Sequence, residues 1–258
     1  MNEDEYYLMA EVEAVHWWYR GLRDLISRVA KAHRLHERHE LRVLDAGCGT
    51  GENLRLLRSM LNPSYLGGFD VSPLALELCR RKVPDADVYA SSLCDPELHA
   101  NAYDLILSCD VLYMTGLDAA RDGLRRLADG LRADGLLVFN LPAYNWLFSE
   151  HDLAIGTRER FTSSQIRRLL EELDLEVHRL TYRLFFLFPA VVGARLPSML
   201  RRKPSGATAR SDLARRHRLA NGILSRILQW ENAAIIRGIK FPWGSSVFAV
   251  GRRKGPNA

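Results

Sequence analysis

Val43-Leu44-Asp45-Ala46-Gly47-Cys48-Gly49-Thr50-Gly51 decides how this chain is read. An apolar strand ends at Asp45, a glycine turn follows, and a helix opens near Glu52. Glycines at such a turn let a ligand approach the backbone where a Cβ would intrude. A dinucleotide loop, G-x-G-x-x-G, wants no side chain at its third glycine, and this chain has Glu52 there. Asp45 and Glu52 would also stand beside a pyrophosphate, like charge near like charge. The acid-rimmed loop suits a cationic ligand instead.

Outward from the loop the chain alternates. Short apolar runs lie at 41–46, 65–70, 86–90, 103–109, 135–141 and 174–182, with helical stretches at 52–61, 73–82, 117–131 and 162–173 between them. That alternation predicts a doubly wound, mostly parallel α/β sheet. A helix is expected over 9–33, carrying His16-Trp17-Trp18-Tyr19-Arg20. The alternation stops near 183. A long helix is expected over 209–238, with Ala220, Ile223, Leu224, Ile227, Leu228, Ala234 and Ile235 on one stripe. Glu231 falls on that stripe and is expected to pair with an arginine. A last strand is expected at Val247 to Val250. The expected division is a helical cap (1–40), a core (41–182), a helical insertion (183–240) and a final strand with a basic tail (241–258).

The 258 residues are 47% hydrophobic and 26% charged, ordinary globular usage, which excludes a disordered or collagen-like chain. Residues 183–258 hold 15 Lys and Arg against Asp212 and Glu231, whereas residues 1–182 carry a net −8. That asymmetry points to an anionic partner at the C-terminal third or to a solvated arginine face. Four cysteines (48, 79, 94 and 109) show no metal spacing, and no metal is expected. His33, His36 and His39 recur every third residue without a carboxylate partner and read as surface. The acidic N-terminus lacks the basic region of a signal peptide, and the cysteines fit a reducing compartment, so a cytoplasmic location is expected. The longest apolar run, Leu184 to Ala194, would reach roughly 16 Å as a helix, too short for a hydrocarbon core of ~30 Å.

S-adenosylmethionine, with its sulfonium and ammonium, is a ligand of the kind the acidic loop suits. The loop resembles the first motif of class I S-adenosylmethionine-dependent methyltransferases, and the resemblance continues along the chain. Gly67 to Pro73 is similar to the second-strand motif, which implies that Asp70, with Val71 after it, holds the ribose hydroxyls. Tyr103 to Leu112 resembles the fourth-strand motif, which places Cys109 and Asp110 beside the methionine portion. Counting back from that strand, Ser92-Leu93 falls where many members read adenine with an Asp-hydrophobic pair. Tyr113-Met114 stands where many members have Glu-His, so no histidine base comes from there. The resemblance implies a seven-stranded Rossmann-like methyltransferase sheet with an antiparallel last strand. The segment 142–152 and Trp17-Trp18 further resemble a bacterial small-molecule or envelope-linked subgroup.

The cofactor-binding set expected on these grounds is Asp45, Gly47, Cys48, Gly49, Gly51, Asp70, Val71, Ser92, Leu93 and Cys109, with Tyr19 and Arg20 closing over it. Residues 142–161 follow the fifth strand and are expected to line the acceptor pocket. There His151 is a candidate base and Tyr144 a shaping residue; Asp110 is either catalytic or a helix cap. The expected reaction is methyl transfer to a small-molecule or lipid-like acceptor at oxygen or nitrogen. Two rivals stay open: an RNA methyltransferase gripping with the basic third, and a membrane-associated cofactor-binding module without transfer. The 183–240 segment is a lid, a homodimer interface or an anchor on the inner face of an anionic membrane, the last supported by Phe185, Phe186, Phe188 and Arg201-Arg202-Lys203.

Overall fold

The strand that ends in the glycine loop lies inside the sheet. In a computed structural model, which describes residues 3–200 and 218–255, the chain runs α1 (Glu3–Val12), α2 (Trp17–Ala32), β1 (Arg42–Ala46), α3 (Glu52–Leu61), β2 (Tyr65–Asp70), α4 (Pro73–Lys82), β3 (Asp87–Ala90) and β4 (Tyr103–Cys109). It continues through α5 (Leu112–Thr115), α6 (Leu117–Gly130), β5 (Leu131–Pro142), α7 (Glu150–Ile155), α8 (Ser163–Glu172), β6 (Leu175–Arg183), α9 (Phe188–Leu200), α10 (Arg218–Ile236) and β7 (Ser246–Arg253). The strands form one sheet in the order β3-β2-β1-β4-β5-β7-β6, with β7 antiparallel to both its neighbours. This is the doubly wound sheet the alternation predicts. The order reverses between β1 and β4, and an open α/β sheet forms its ligand crevice at such a switch point.

Helices cover both faces. Leu124 and Leu127 of α6 and Ile166, Leu169 and Leu170 of α8 fill one side. Leu22, Leu25, Ile26 and Val29 of α2, Leu54 and Leu57 of α3, and Ile235 of α10 fill the other. On α6, Gly123 allows a close approach. A Cβ there would lie 1.8 Å from the Leu93 carbonyl oxygen, so the turn after β3 sits directly on the helix. Gly123→Ala must push α6 off that turn, and a loss of ~2 kcal/mol or more is expected in urea unfolding. A loss below ~0.5 kcal/mol would show that the contact yields cheaply.

Several expectations are corrected. The helix expected over 9–33 is two helices with a corner at Glu13–His16. His16 caps α2 by accepting the Trp18 N–H, and Arg23 donates to the Glu13 carbonyl at 2.6 Å. The fifth strand begins at Leu131, four residues early, with an irregular register at its start. The apolar run after 184 becomes α9. Of the helix expected over 209–238, the described part is α10; Arg201-Arg202-Lys203 lie outside the described residues. α10 shares a layer with α2, where Leu228 packs on Gly21 and Asn232 donates to the Gly21 carbonyl and to Asp24.

Glu231 does not pair with an arginine among the described residues. Fully buried, it accepts backbone N–H bonds from Leu184 at 2.6 Å and Phe185 at 2.9 Å, with a longer one from Phe186. Burial raises its pKa, while Arg183 and these N–H groups favour the charged form. The carboxylate caps the chain where β6 ends. Leu184 there has φ +62°, a conformation that costs a branched side chain about 1–2 kcal/mol.

Candidate active site

The glycine loop is held from below. The N–H groups of Gly47 and Cys48 donate to the Phe69 carbonyl at 2.8 and 2.9 Å, tying the end of β1 to the end of β2. Gly51 has φ +89°, and a Cβ there would meet Cys79 Sγ at 2.6 Å; no other residue fits both demands. Asp70, at the end of β2, accepts from the Gly49 N–H at 3.0 Å and the Ser72 N–H at 2.9 Å. One carboxylate thereby fixes the loop and the start of α4.

Asp45 lies beneath the loop. It is fully buried, and neither carboxyl oxygen makes a hydrogen bond among the described residues. Burial pushes its pKa up to about 8; Asn53 opposes the shift and Asp70 adds to it. An orphaned buried carboxyl favours any cation brought near it. The unfolded chain binds the Asp45 proton near pH ~4, the fold near 8. Asp45 therefore favours the fold fully below pH ~4, and that contribution is lost as pH rises through 8. The thermal midpoint of ligand-free protein is expected to fall between pH 6 and pH 9 (both about), with Asp45→Asn flattening the decline. Parallel curves for the two proteins would contradict this.

Across the switch point, Asp110 follows β4 with φ +58°. Its backbone N–H donates to the Asn140 carbonyl at 2.7 Å, and the Asn140 amide donates back to both Asp110 carboxyl oxygens at 3.0 Å. Asn140 Oδ1 accepts from Arg183 Nη1 at 2.8 Å. Arg183 is fully buried, and its Nε and Nη2 have no partner among the described residues. Burial pushes the Asp110 carboxyl up to about 7, with Asn140 and Arg183 opposing. A carboxyl poised there exchanges a proton at neutral pH. Tyr113 and Tyr19 lie within electrostatic reach of it, and burial and this charge keep both phenols protonated.

α1 lies over the loop. Met9 approaches Gly49, and Tyr6 is buried, with Asp70 and Ser72 beside its phenol. The α1–α2 corner is pinned by Glu13, which accepts from Thr50 and pairs with Lys82. Tyr6, Glu13, Asn140 and Arg183 were missed in the sequence. Asn140 had a signal, being the one polar residue in Leu136 to Leu141.

Beyond β5, Tyr144 (φ +59°) stacks on Tyr182 at 5.0 Å and on Trp146 at 5.6 Å, with Phe188 at its edge. Asp152 is 1% exposed and forms a paired bridge with Arg160, itself 3% exposed, at 2.9 and 3.0 Å. It also accepts from Ser149, so its carboxylate is committed to structure and cannot orient a neighbouring base. The backbone of His151 lies in α7, but its side chain lies outside the described residues. Ser92 and Leu93 follow β3 next to the end of β2, where Ser91 donates to the Asp70 carbonyl. Cys109 is buried on β4, and Val71 is exposed beside Asp70. Arg20 is exposed and lines an outer groove with Arg23, Glu52 and Arg55.

Strand order, glycine loop and buried acids define a Rossmann-like α/β domain whose ligand crevice lies at the switch point. Residues 43–135 match the family model described as a methyltransferase domain. A malonyl-[acyl-carrier protein] O-methyltransferase of Acetivibrio thermocellus is 27% identical over 128 residues, 49% of this chain and 44% of that one, so the match spans less than half of the relative's length. Among solved structures, a putative methyltransferase of Haloferax volcanii, in complex with the activator Trm112, is similar in fold. Its TM-score is 0.58 at 16% identity, covering 98% of this chain and 96% of that one. Phosphoethanolamine N-methyltransferase 2 of Haemonchus contortus, in complex with S-adenosyl-L-methionine, aligns with TM-score 0.54 at 14% identity, over 84% of this chain and 50% of that one.

Proposed function

We propose that this chain transfers the methyl group of S-adenosylmethionine to a small-molecule or lipid-like acceptor, at oxygen or nitrogen. The observation that carries this reading is the arrangement around the switch point: an orphaned buried Asp45 under a glycine loop on one side, and Asp110 among tyrosines on the other. The residues fit the cofactor. Asp45 offers an unpaired carboxyl to a cation, Gly47, Gly49 and Gly51 leave the loop open to close approach, and Asp70 accepts from hydroxyls. Bound there, S-adenosylmethionine supplies a methyl group on positively charged sulfur, a leaving group that departs neutral.

This chain's part is then binding, alignment and proton handling. Tyr6 and Met9 of α1 exclude water from the loop side. Holding the acceptor at near-attack distance supplies up to ~7–11 kcal/mol in favourable systems. Asp110 takes the acceptor's proton at one of its carboxyl oxygens, and Asn140 fixes the orientation of both. The stacked rings of Tyr144 and Trp146, with Phe188 tilted against them, favour an acceptor with apolar surface.

The test is transfer of labelled methyl from S-adenosylmethionine into small-molecule and lipid fractions. With the acceptor in hand, Asp110→Asn is expected to lower turnover by ~100-fold or more at neutral pH. Unchanged turnover removes Asp110 as the base and passes the role to His151, for which His151→Ala is the matching variant. No labelled product in any fraction, with cofactor still bound, would favour a binding module.

A further inference from the structure

Trp230 is 79% exposed on α10, with Ile223, also exposed, two turns before it and Arg237 two turns after. Residues seven apart share a helix stripe, so the outward side of α10 carries apolar and basic groups together. Arg226 and Lys240 add two further exposed cations. The three N–H bonds to Glu231 fasten Leu184 to Phe186 onto the same helix. The ring of Phe185 stacks on Phe241 at 4.7 Å and on Trp243 at 5.1 Å, with Phe186 set edge-on against it. Phe186 is 56% exposed and Trp243 47%; Ile239, just past the end of α10, is also open to solvent.

The charge on this unit has one sign. From Leu184 to Gly255, among the described residues, Glu231 is the one carboxylate, and it is buried. Its surface therefore presents Arg226, Arg237, Lys240, Trp230, Trp243 and Phe186 with no acid among them. A solvated arginine face would not need half-exposed indoles. Aromatic rings with one wet end, flanked by cations, match the boundary between anionic headgroups and acyl chains. We propose that this face of α10, with the aromatic turn packed against it, docks on an anionic lipid surface. Contact of this kind is peripheral: no helix among the described residues is long and apolar enough to cross a membrane. The inference is independent of methyl transfer.

The test is flotation of the full chain with vesicles of phosphatidylcholine alone and with about a third phosphatidylglycerol. Recovery is expected only with the anionic vesicles and is expected to fall as salt rises from about 0.1 M to about 0.5 M. Trp230→Ser with Phe186→Ser should cut the bound fraction about tenfold at unchanged thermal midpoint, because both side chains are exposed. Arg226→Glu with Arg237→Glu should abolish binding in the same way. Equal recovery on both vesicle types overturns the proposal. So does a sedimentation dimer that Trp230→Ser dissociates, which would make the face an interface between copies. Retention on single-stranded RNA with none on vesicles would assign it to nucleic acid instead.

Discussion

Asp70→Ala is expected to weaken S-adenosylhomocysteine binding by ~100-fold or more in calorimetric titration. The Asp70 carboxylate accepts the Gly49 N–H and the Ser72 N–H, so its loss frees the glycine loop and the start of α4 together. Both bonds preorganise the ligand-free loop, so without them binding must first re-order it, and this cost together with the lost acceptor accounts for the ~2.7 kcal/mol that a hundredfold requires. In the proposed complex the same carboxylate faces the ribose hydroxyls. Asp70→Asn keeps an acceptor oxygen and should lose less. Binding within about threefold of the parent protein would show that the loop holds its shape without Asp70, and would withdraw the ribose assignment.

Arg160→Ala is expected to destabilise the fold by ~3 kcal/mol. Removing one partner of a buried pair strands the other charge, at a typical cost of about 3–5 kcal/mol. Arg160 also donates to the Ala143 carbonyl at 2.9 Å, so its loss unties the end of β5 as well. Arg195 stands 3.6 Å from the same carboxylate, which places the expected value at the low end. Burial and Arg195 already pull the Arg160 pKa down to about 10, against the pull of Asp152. The measurement is urea unfolding, where the midpoint should fall by ~1–2 M at a slope of about 2–3 kcal/mol/M. Asp152→Asn added to Arg160→Met should recover part of the loss, because no charge is then left buried alone. A single variant within ~1 kcal/mol of the parent would mean that water reaches Asp152 once the guanidinium is gone.

These two sites differ in how far the sequence discloses them. Asp70 closes a strand one helix after the glycine loop, and the two motifs lie along one β-α-β unit. The Asp152–Arg160 pair is only eight residues long in sequence, yet nothing in Ser149 to Phe161 marks it. Asp152 stands next to His151 in sequence and could have faced that ring. The decision came from Arg160, which folds back beneath β5 and takes both oxygens of Asp152.

The amino-acid sequence by itself determined the sheet, its windings and the glycine-loop half of the candidate site. In each case the cause is local: apolar runs of strand length, helical spacing between them, and nine consecutive residues whose glycines permit one turn. Tertiary structure alone decided the other half. Asn140 and Arg183 are 43 residues apart, and Tyr6 reaches Asp70 from a separate helix. Glu231 serves three backbone N–H groups about 46 residues earlier, where an arginine was the sequence-level expectation. Such partners carry no periodicity, because burial and hydrogen-bond satisfaction act between surfaces that meet only when the sheet is covered. The α1–α2 corner follows the same rule: helix propensity runs through Glu13 to His16, and the chain bends there because Glu13 finds Thr50 and Lys82.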